Sequence, residues 1–439
     1  MRAFYLAWFG QLVSQMGSGL TAFALSVWVY QQTHSVTKLT FIQFFAMLPM
    51  IAFFPIAGAL TDRWDRRRVL ILSEVGSALA PLVLAALLAI GRVEIWHIYV
   101  CVAVSSGFMA FQFPAFSAAT TMLVPKDQLG RASGMVQVGV GSAQLLSPIL
   151  GAVLLSTIGL RGVFVIDIAT FVVAIALLAS IKIPRPAASI EVRARGALWN
   201  EMIYGWGYIF ARRGLLSLVL LIGTTNFVIS TVVALAPALL LSFTNARVLG
   251  VVLSAAGIGM LVGSVAISVR KGSGSHVRAV FLGTLLCSSG AFAAGLVPSP
   301  LFIGVAAFVA AAGWPIVAAS SQAIWQRKVP ADLQGRVFAM RAMIAMSAGP
   351  LAFLISGPLA DRLFIPLLVP HGALTGSVGR IIGVGPTRGI GLMFMVLGAG
   401  GALLVAFASK YAPLRFVERD LVDVIPDDER TSASGPPSA

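Results

Sequence analysis

The sequence predicts an all-α integral membrane protein, twelve transmembrane helices in two pseudo-symmetric six-helix bundles. Three observations carry that expectation. Of 439 residues, 58% are hydrophobic and only 11% charged, where an ordinary soluble chain carries roughly 25% charged residues. Apolar runs long enough to cross a hydrocarbon core of about 30 Å recur along the whole chain. One signature also occurs in both halves at a constant offset: Val124-Pro125-Lys126-Asp127 leading to Gly130-Arg131, and Val329-Pro330-Ala331-Asp332 leading to Gly335-Arg336. Each copy falls between the fourth and fifth apolar runs of its half, so the halves read as parallel repeats. This composition excludes a soluble enzyme. A net charge of +15 would suggest nucleic acid in a soluble domain, but in a multi-span chain it marks the loops on one side of the membrane. No nucleic-acid partner is expected.

Taken in order, the spans start near residues 4, 38, 69, 97, 132 and 163 in the first half and near 214, 249, 279, 301, 337 and 389 in the second. Met1-Arg2 opens an apolar stretch to Tyr30, too long for the apolar core of about 7–15 residues in a signal peptide. It is expected to be retained as the first span. Placing both termini in the cytoplasm puts loops 62–68, 126–131 and 182–213, and most of the 31 Lys and Arg, on the cytoplasmic side, as the positive-inside rule requires. The expected location is a cell membrane, the inner membrane of a bacterium. Four segments follow: an N-terminal bundle over 1–183, a cytoplasmic linker over 184–213, a C-terminal bundle over 214–410 and a cytoplasmic tail over 411–439. The tail, polar and low in complexity from Pro426, is expected to be disordered. In the linker, Trp199, Met202, Ile203, Trp206 and Ile209 recur at helical spacing among arginines, which predicts an amphipathic helix at the membrane interface. The glycine-rich loop 369–388 carries no motif and is expected to be flexible.

Ionisable side chains inside the spans are few, and a charge at a span centre costs on the order of 3 kcal/mol, so each is a functional candidate. Glu74 lies in the third span, Asp167 in the sixth and Arg341 early in the eleventh, with Asp361-Arg362 at that span's outer edge. Asp167 is the first choice for a carboxyl that gains and loses a proton, and Glu74 and Asp361 are further proton-coupling candidates. Pairing of Asp167 with Arg161 is the structural alternative. Glu74 and Arg341, at similar depth in opposite halves, are alternatively members of a cytoplasmic gate network. Cys101 and Cys287 fall inside spans, where thiols act as small apolar residues. His34, His97, His276 and His371 are scattered at span ends and loops. Neither disulfide nor metal site nor cofactor is expected.

The cytoplasmic end of the second span reads Gly58-Ala59-Leu60-Thr61-Asp62-Arg63-Trp64-Asp65-Arg66-Arg67-Arg68. It resembles the signature loop of the major facilitator superfamily. Gly58, Asp62, Arg63, Arg66 and Arg67 match that pattern, while Asp65 stands where the family has a second glycine. The resemblance implies that this loop gates the cytoplasmic side, Asp62 meeting the start of the eleventh span with help from the loop arginines. The counterpart in the second half begins at Gly263 and is degenerate, with Ile267 in place of the Asp. Three stretches narrow the likeness to the macrolide-efflux-type branch of drug:proton antiporters: Phe111-Gln112-Phe113-Pro114-Ala115, Ile166-Asp167-Ile168-Ala169-Thr170-Phe171, and Trp325-Gln326 with Val337-Phe338-Ala339. In the fifth span, Ser147-Pro148-Ile149-Leu150-Gly151-Ala152 resembles the antiporter motif, with Ser and Ala at two of its glycine positions. The fourth span lacks the Arg that many drug antiporters carry, so a proton relay through such a residue is unsupported.

The superfamily resemblance further implies that the first, fourth, seventh and tenth spans line a central cavity. There they hold uncharged polar and aromatic residues: Gln11 and Gln15, Gln112 and Phe116, Asn226, and Trp314 with Gln322. Apolar walls with sparse polar groups suit a bulky, mostly apolar ligand. The function implied is secondary active transport by alternating access, acting as a monomer rather than as an enzyme. A hydrophobic or amphipathic drug or natural product would leave in exchange for protons. A proton-coupled importer, or a siderophore or lysolipid transporter, stays open on the same fold.

Overall fold

A computed structural model of the chain describes residues 1–61, 64–125, 128–183, 206–269 and 275–421. Among the described residues, eleven helices are long and apolar enough to cross a membrane. One of them makes two crossings. Helix Leu129–Ser180 runs for 52 residues, more than twice the length that a core of about 30 Å needs at about 1.5 Å per residue. It breaks at Gly159, whose φ of 68° and ψ of −178° are open essentially to glycine alone. The two arms are the fifth and sixth of twelve spans. The others in the first half are Arg2–Thr33, Val36–Thr61, Arg66–Ala89 and Ile95–Leu123. The second half supplies Arg213–Leu241, Ala246–Val269, His276–Leu296, Pro300–Lys328, Ala331–Leu359 and Pro386–Lys410.

Alternating direction brings Arg66, Arg67, Arg131, Arg213, Lys328 and Lys410 to one end of the bundle, here the basic end. Its turns are fixed by caps. Asp65 Oδ1 accepts from the backbone N–H of Arg67 and Arg68 at 3.0 and 3.2 Å, starting the third span. The residue that departs from the signature pattern is therefore an N-cap, a position where Asp stabilises a helix by about 1 kcal/mol. Arg66 reaches the Ala118 carbonyl of the fourth span at 3.1 Å, and Arg67 the Leu178 and Ala179 carbonyls of the sixth, the first of these at 3.1 Å. Cations there satisfy the last carbonyls of each helix and suit the negative end of its dipole.

The sequence repeat is a structural repeat. Val124 and Val329 end the fourth and tenth spans in the same extended backbone, φ −118° and ψ 132° against φ −114° and ψ 124°. Each N–H still bonds the carbonyl four residues back, at 3.1 Å. After the prolines, the Gln128 and Leu333 N–H groups return to the Pro125 and Pro330 carbonyls, both at 2.9 Å.

The halves meet along two seams from the end opposite the basic one, the far end, down to mid-depth. In one, the fifth span packs on the eighth. Ser254 Oγ donates to the Leu145 carbonyl at 2.8 Å, and Gly250 lies so close to the Pro148 carbonyl that a Cβ would collide with it. In the other, the second span packs on the eleventh, with Gly349 against Met47 and Gly357 against Thr37 and Thr40. Small residues of this kind let backbones approach where lipid supplies no hydrophobic drive.

Three expectations about connecting segments need correction or restriction. The tail is ordered where it leaves the twelfth span: Ala412–Arg415 and Val417–Asp420 are short helices with Leu414 and Val417 buried. Glu418 holds them, accepting from the His276 N–H at 2.8 Å and from Ser275 Oγ to cap the ninth span, while Lys328 Nζ donates to the Glu418 and Leu421 carbonyls. Residues 422–439 lie outside the described residues. So does most of the amphipathic helix expected in the linker. Of its last turn, 206–210, Tyr208 and Ile209 are buried in the core of the C-terminal half, and Tyr208 Oη donates to the Lys328 carbonyl at 3.1 Å. Loop 369–388 is folded on itself, with a short helix Val378–Ile382 and the Gly385 N–H bonding the Leu368 carbonyl at 2.7 Å.

Candidate functional site

The N-terminal half contains a buried polar spine. Gln11, Ser14, Gly17 and Thr21 recur at intervals of three and four along the first span, which places them on one face of the helix. Two acids from other spans meet that face. Glu74 of the third span is wholly buried, and its Oε1 accepts from Gln11 Nε2 at 2.6 Å and from Gln112 Nε2 of the fourth span. Its Oε2 accepts from Ser14 Oγ at 2.8 Å. One carboxyl thus ties three spans together.

About two helical turns further along the first span, Asp167 of the sixth span accepts from Thr21 Oγ1 at 2.6 Å through Oδ2. Its Oδ1 is buried without a hydrogen-bond partner. Gly17 makes this approach possible, since a Cβ there would strike Thr170 Oγ1 and Asp167 Oδ1. The alternative pairing with Arg161 does not form, because Arg161 donates to the Leu88 carbonyl at 3.0 Å.

This arrangement corrects several assignments. Gln11 and Gln112 serve Glu74 rather than an open cavity, and Phe116 is buried with Phe4, Ala7 and Leu70 in the core of its own half. Gln15, one turn from Gln11, is half-buried. Glu74 is engaged by the spine and not by the signature loop. Of that loop, Gly58 lies in the last turn of the second span, Asp62 and Arg63 fall outside the described residues, and Arg66 and Arg67 bond only within their own half. Sequence reasoning missed Ser14, Gly17, Thr21 and Thr170. Their helical spacing from Gln11 and Asp167 was the available signal.

In the C-terminal half, Arg341 of the eleventh span donates to Gln322 Oε1 of the tenth at 2.7 Å. Its guanidinium carbon lies 5.6 Å from the Trp325 ring and 5.4 Å from that of Phe338, within the range where cation and ring attract. It therefore joins two spans of one half instead of bridging to Glu74. Asn226 Nδ2 of the seventh span donates to the Ala345 carbonyl at 2.9 Å, and Trp314 packs half-buried against the core. Ser320 and Ser321 Oγ and Trp325 Nε1, all on the tenth span, are buried without hydrogen-bond partners.

The antiporter-like stretch sits where three spans converge. Ser147 Oγ donates to the Met16 carbonyl at 3.4 Å, the Gly151 position abuts Phe23 with room for little more than hydrogen, and Pro148 presents its carbonyl to Gly250 of the other half. Asp361, expected as a proton carrier, is engaged at the far end. Its oxygens accept from the Val36 and Thr37 N–H groups at 3.2 and 2.8 Å and from Ser35 Oγ at 3.1 Å.

Two repeated six-span halves, packed through glycines along facing seams and carrying buried acids inside one of them, define a membrane transport protein built as a pair of bundles. The chain belongs to the Major Facilitator Superfamily, whose family model matches residues 7–353. It is 26% identical over 365 residues to macrolide efflux protein A of Streptococcus pyogenes, covering 82% of this chain and 90% of that protein. It is also 26% identical over 362 residues to the multidrug efflux pump Tap of Mycolicibacterium fortuitum, covering 80% of this chain and 88% of the pump. Its fold matches an inward-facing, unoccupied bacterial homologue of the human lysosomal transporter Spinster. The TM-score is 0.71 at 14% identity, over 96% of this chain and 99% of that one.

Proposed function

We propose that the protein exports a bulky hydrophobic or amphipathic compound, a drug or natural product, from the cell by alternating access in exchange for protons. The observation that carries the export reading is the likeness, across most of both chains, to efflux proteins for macrolides and for multiple drugs. The concentration of Arg and Lys at one end supports an orientation with that end and both termini in the cytoplasm. The seams then join the halves on the outer side, and the substrate enters from within. A monomer suffices, since each half finds its partner in the same chain.

Asp167 is the proton carrier in this reading. Its partnerless Oδ1 takes a proton without breaking a hydrogen bond, while Thr21 continues to hold Oδ2. Glu74 has both oxygens occupied, and a proton on Oε2 would require the Ser14 bond to reverse, the hydroxyl turning from donor to acceptor. Glu74 is accordingly the organiser of the spine and Asp167 its titrating member. Gln15, Asn226 and Trp314 remain the polar and aromatic groups offered to substrate between the halves.

The test is proton movement in everted vesicles carrying the protein, with a panel of apolar and amphipathic compounds added to an imposed pH gradient. Substrate-dependent collapse of the gradient, lost in Asp167→Asn, is the expected result. Collapse that persists in Asp167→Asn would move the proton elsewhere. No response to any macrolide or amphipathic cation, with folded protein present, would refute proton-coupled drug export.

A further inference from the structure

The carboxylate of Asp361 belongs to the C-terminal half, yet every hydrogen bond it makes is to the N-terminal half. Ser35, Val36 and Thr37 form the start of the second span, whose first N–H groups have no partner within their own helix. Asp361 supplies that partner from across the seam and sets a negative charge at the positive end of the helix dipole. One turn earlier, Gly357 lets the eleventh span touch Thr37 and Thr40, and a side chain there would force the seam apart. Between them the eleventh span changes to a π-helix, Ala360–Phe364, which carries Asp361. Insertions of this kind cluster at functional positions in helices.

The sequence holds a second, independent trace. Gly357-Pro358-Leu359-Ala360-Asp361-Arg362 repeats, residue type for residue type at four of six places, Gly58-Ala59-Leu60-Thr61-Asp62-Arg63 at the end of the second span. The two spans run antiparallel, so one pattern stands at each end of the same seam.

We propose that Asp361 is a latch residue of the transport cycle, holding the far end shut by capping the second span across the seam. Opening toward that side must withdraw the carboxylate from three donors at once. Asp361 is then a positioning residue of the conformational step and not a proton carrier. The proposal rests on the reading that the halves move apart in turnover, and its test separates the two.

In a background with Cys101 and Cys287 replaced by serine, Met47→Cys places one thiol on the seam beneath the latch. Labelling by a membrane-impermeant maleimide is followed in intact cells and in everted vesicles, with no need to know the substrate. Asp361→Ala should raise labelling from the far side about fivefold, the population shift that loss of a typical helix cap produces. Asp361→Asn, which keeps one acceptor oxygen, should fall between, and Arg362→Ala should match the parent. Equal labelling of Asp361→Ala and parent overturns the latch. If the alanine variant does not accumulate, Asp361→Asn decides, and parental labelling there overturns it too. A thiol unreactive from either side in all variants would defeat the moving halves themselves, and the latch with them.

Discussion

Replacing Glu74 separates its two possible duties, holding the spine together and carrying a proton. Glu74→Ala removes the acceptor for Gln11, Ser14 and Gln112. Interhelical hydrogen bonds in membrane bundles average about 0.6 kcal/mol, so three amount to about 2 kcal/mol. Gln11 and Ser14 are buried, and their stranded donors add about 1–3 kcal/mol each if nothing turns to meet them. A loss of about 2–5 kcal/mol is expected. Glu74→Gln keeps Oε1 for the two glutamines and offers an N–H to Ser14, whose hydroxyl can accept it. Its loss should stay near 1 kcal/mol. Reversible unfolding in mixed micelles reads both variants, and transport by Glu74→Gln is measured beside it. Near-parental stability with transport retained is expected of an organiser. Equal destabilisation by alanine and glutamine would refute the argument, because it would mean that the three donors do not depend on the carboxyl. Full stability with transport abolished in Glu74→Gln would instead give Glu74 the proton.

Gly17→Val should displace Asp167 and Thr170 and abolish transport at normal membrane levels, read by the vesicle assay above; retained activity would show that the spine tolerates an extra branch. Gly159→Ala meets no neighbouring atom, yet should cost about 1–3 kcal/mol through its positive φ alone, measured by unfolding in mixed micelles. Glu418→Ala removes the cap on the ninth span and should cost about 0.5–2 kcal/mol, with faster proteolysis between residues 411 and 421 as its signature. Arg67→Ala should weaken the hold on the sixth span by about 1 kcal/mol without changing which side of the seam is open, as read by cysteine labelling.

Much of the architecture was legible because span length, loop charge and the valine-proline repeat are local properties of the chain. The number of spans survives even where one helix serves as two, because Gly159 interrupts the backbone without interrupting the apolar run. The site was legible as residue types and not as partners. Glu74 stands out as an acid in an apolar span, but nothing near it in sequence announces Gln11 and Gln112, which come to it from spans on either side. Phe116 sits in an aromatic stretch that looks like cavity lining, and only the way the fourth span rotates in the bundle turns it inward. Asp361 was visible as a charge at a span edge. Its donors lie more than 300 residues away, a pairing no local periodicity can express.

The π-turn at Ala360–Phe364 holds one residue more than the α-helix around it would need. A single lost codon in that stretch would let the helix close up to regular geometry, and the span would remain long enough to cross. What changes is rotation: each residue removed turns the remainder of the helix by about 100°, and the carboxylate no longer faces the second span. An in-frame deletion, usually the harshest lesion for a packed helix, would here leave a well-inserted protein whose defect is one of aim.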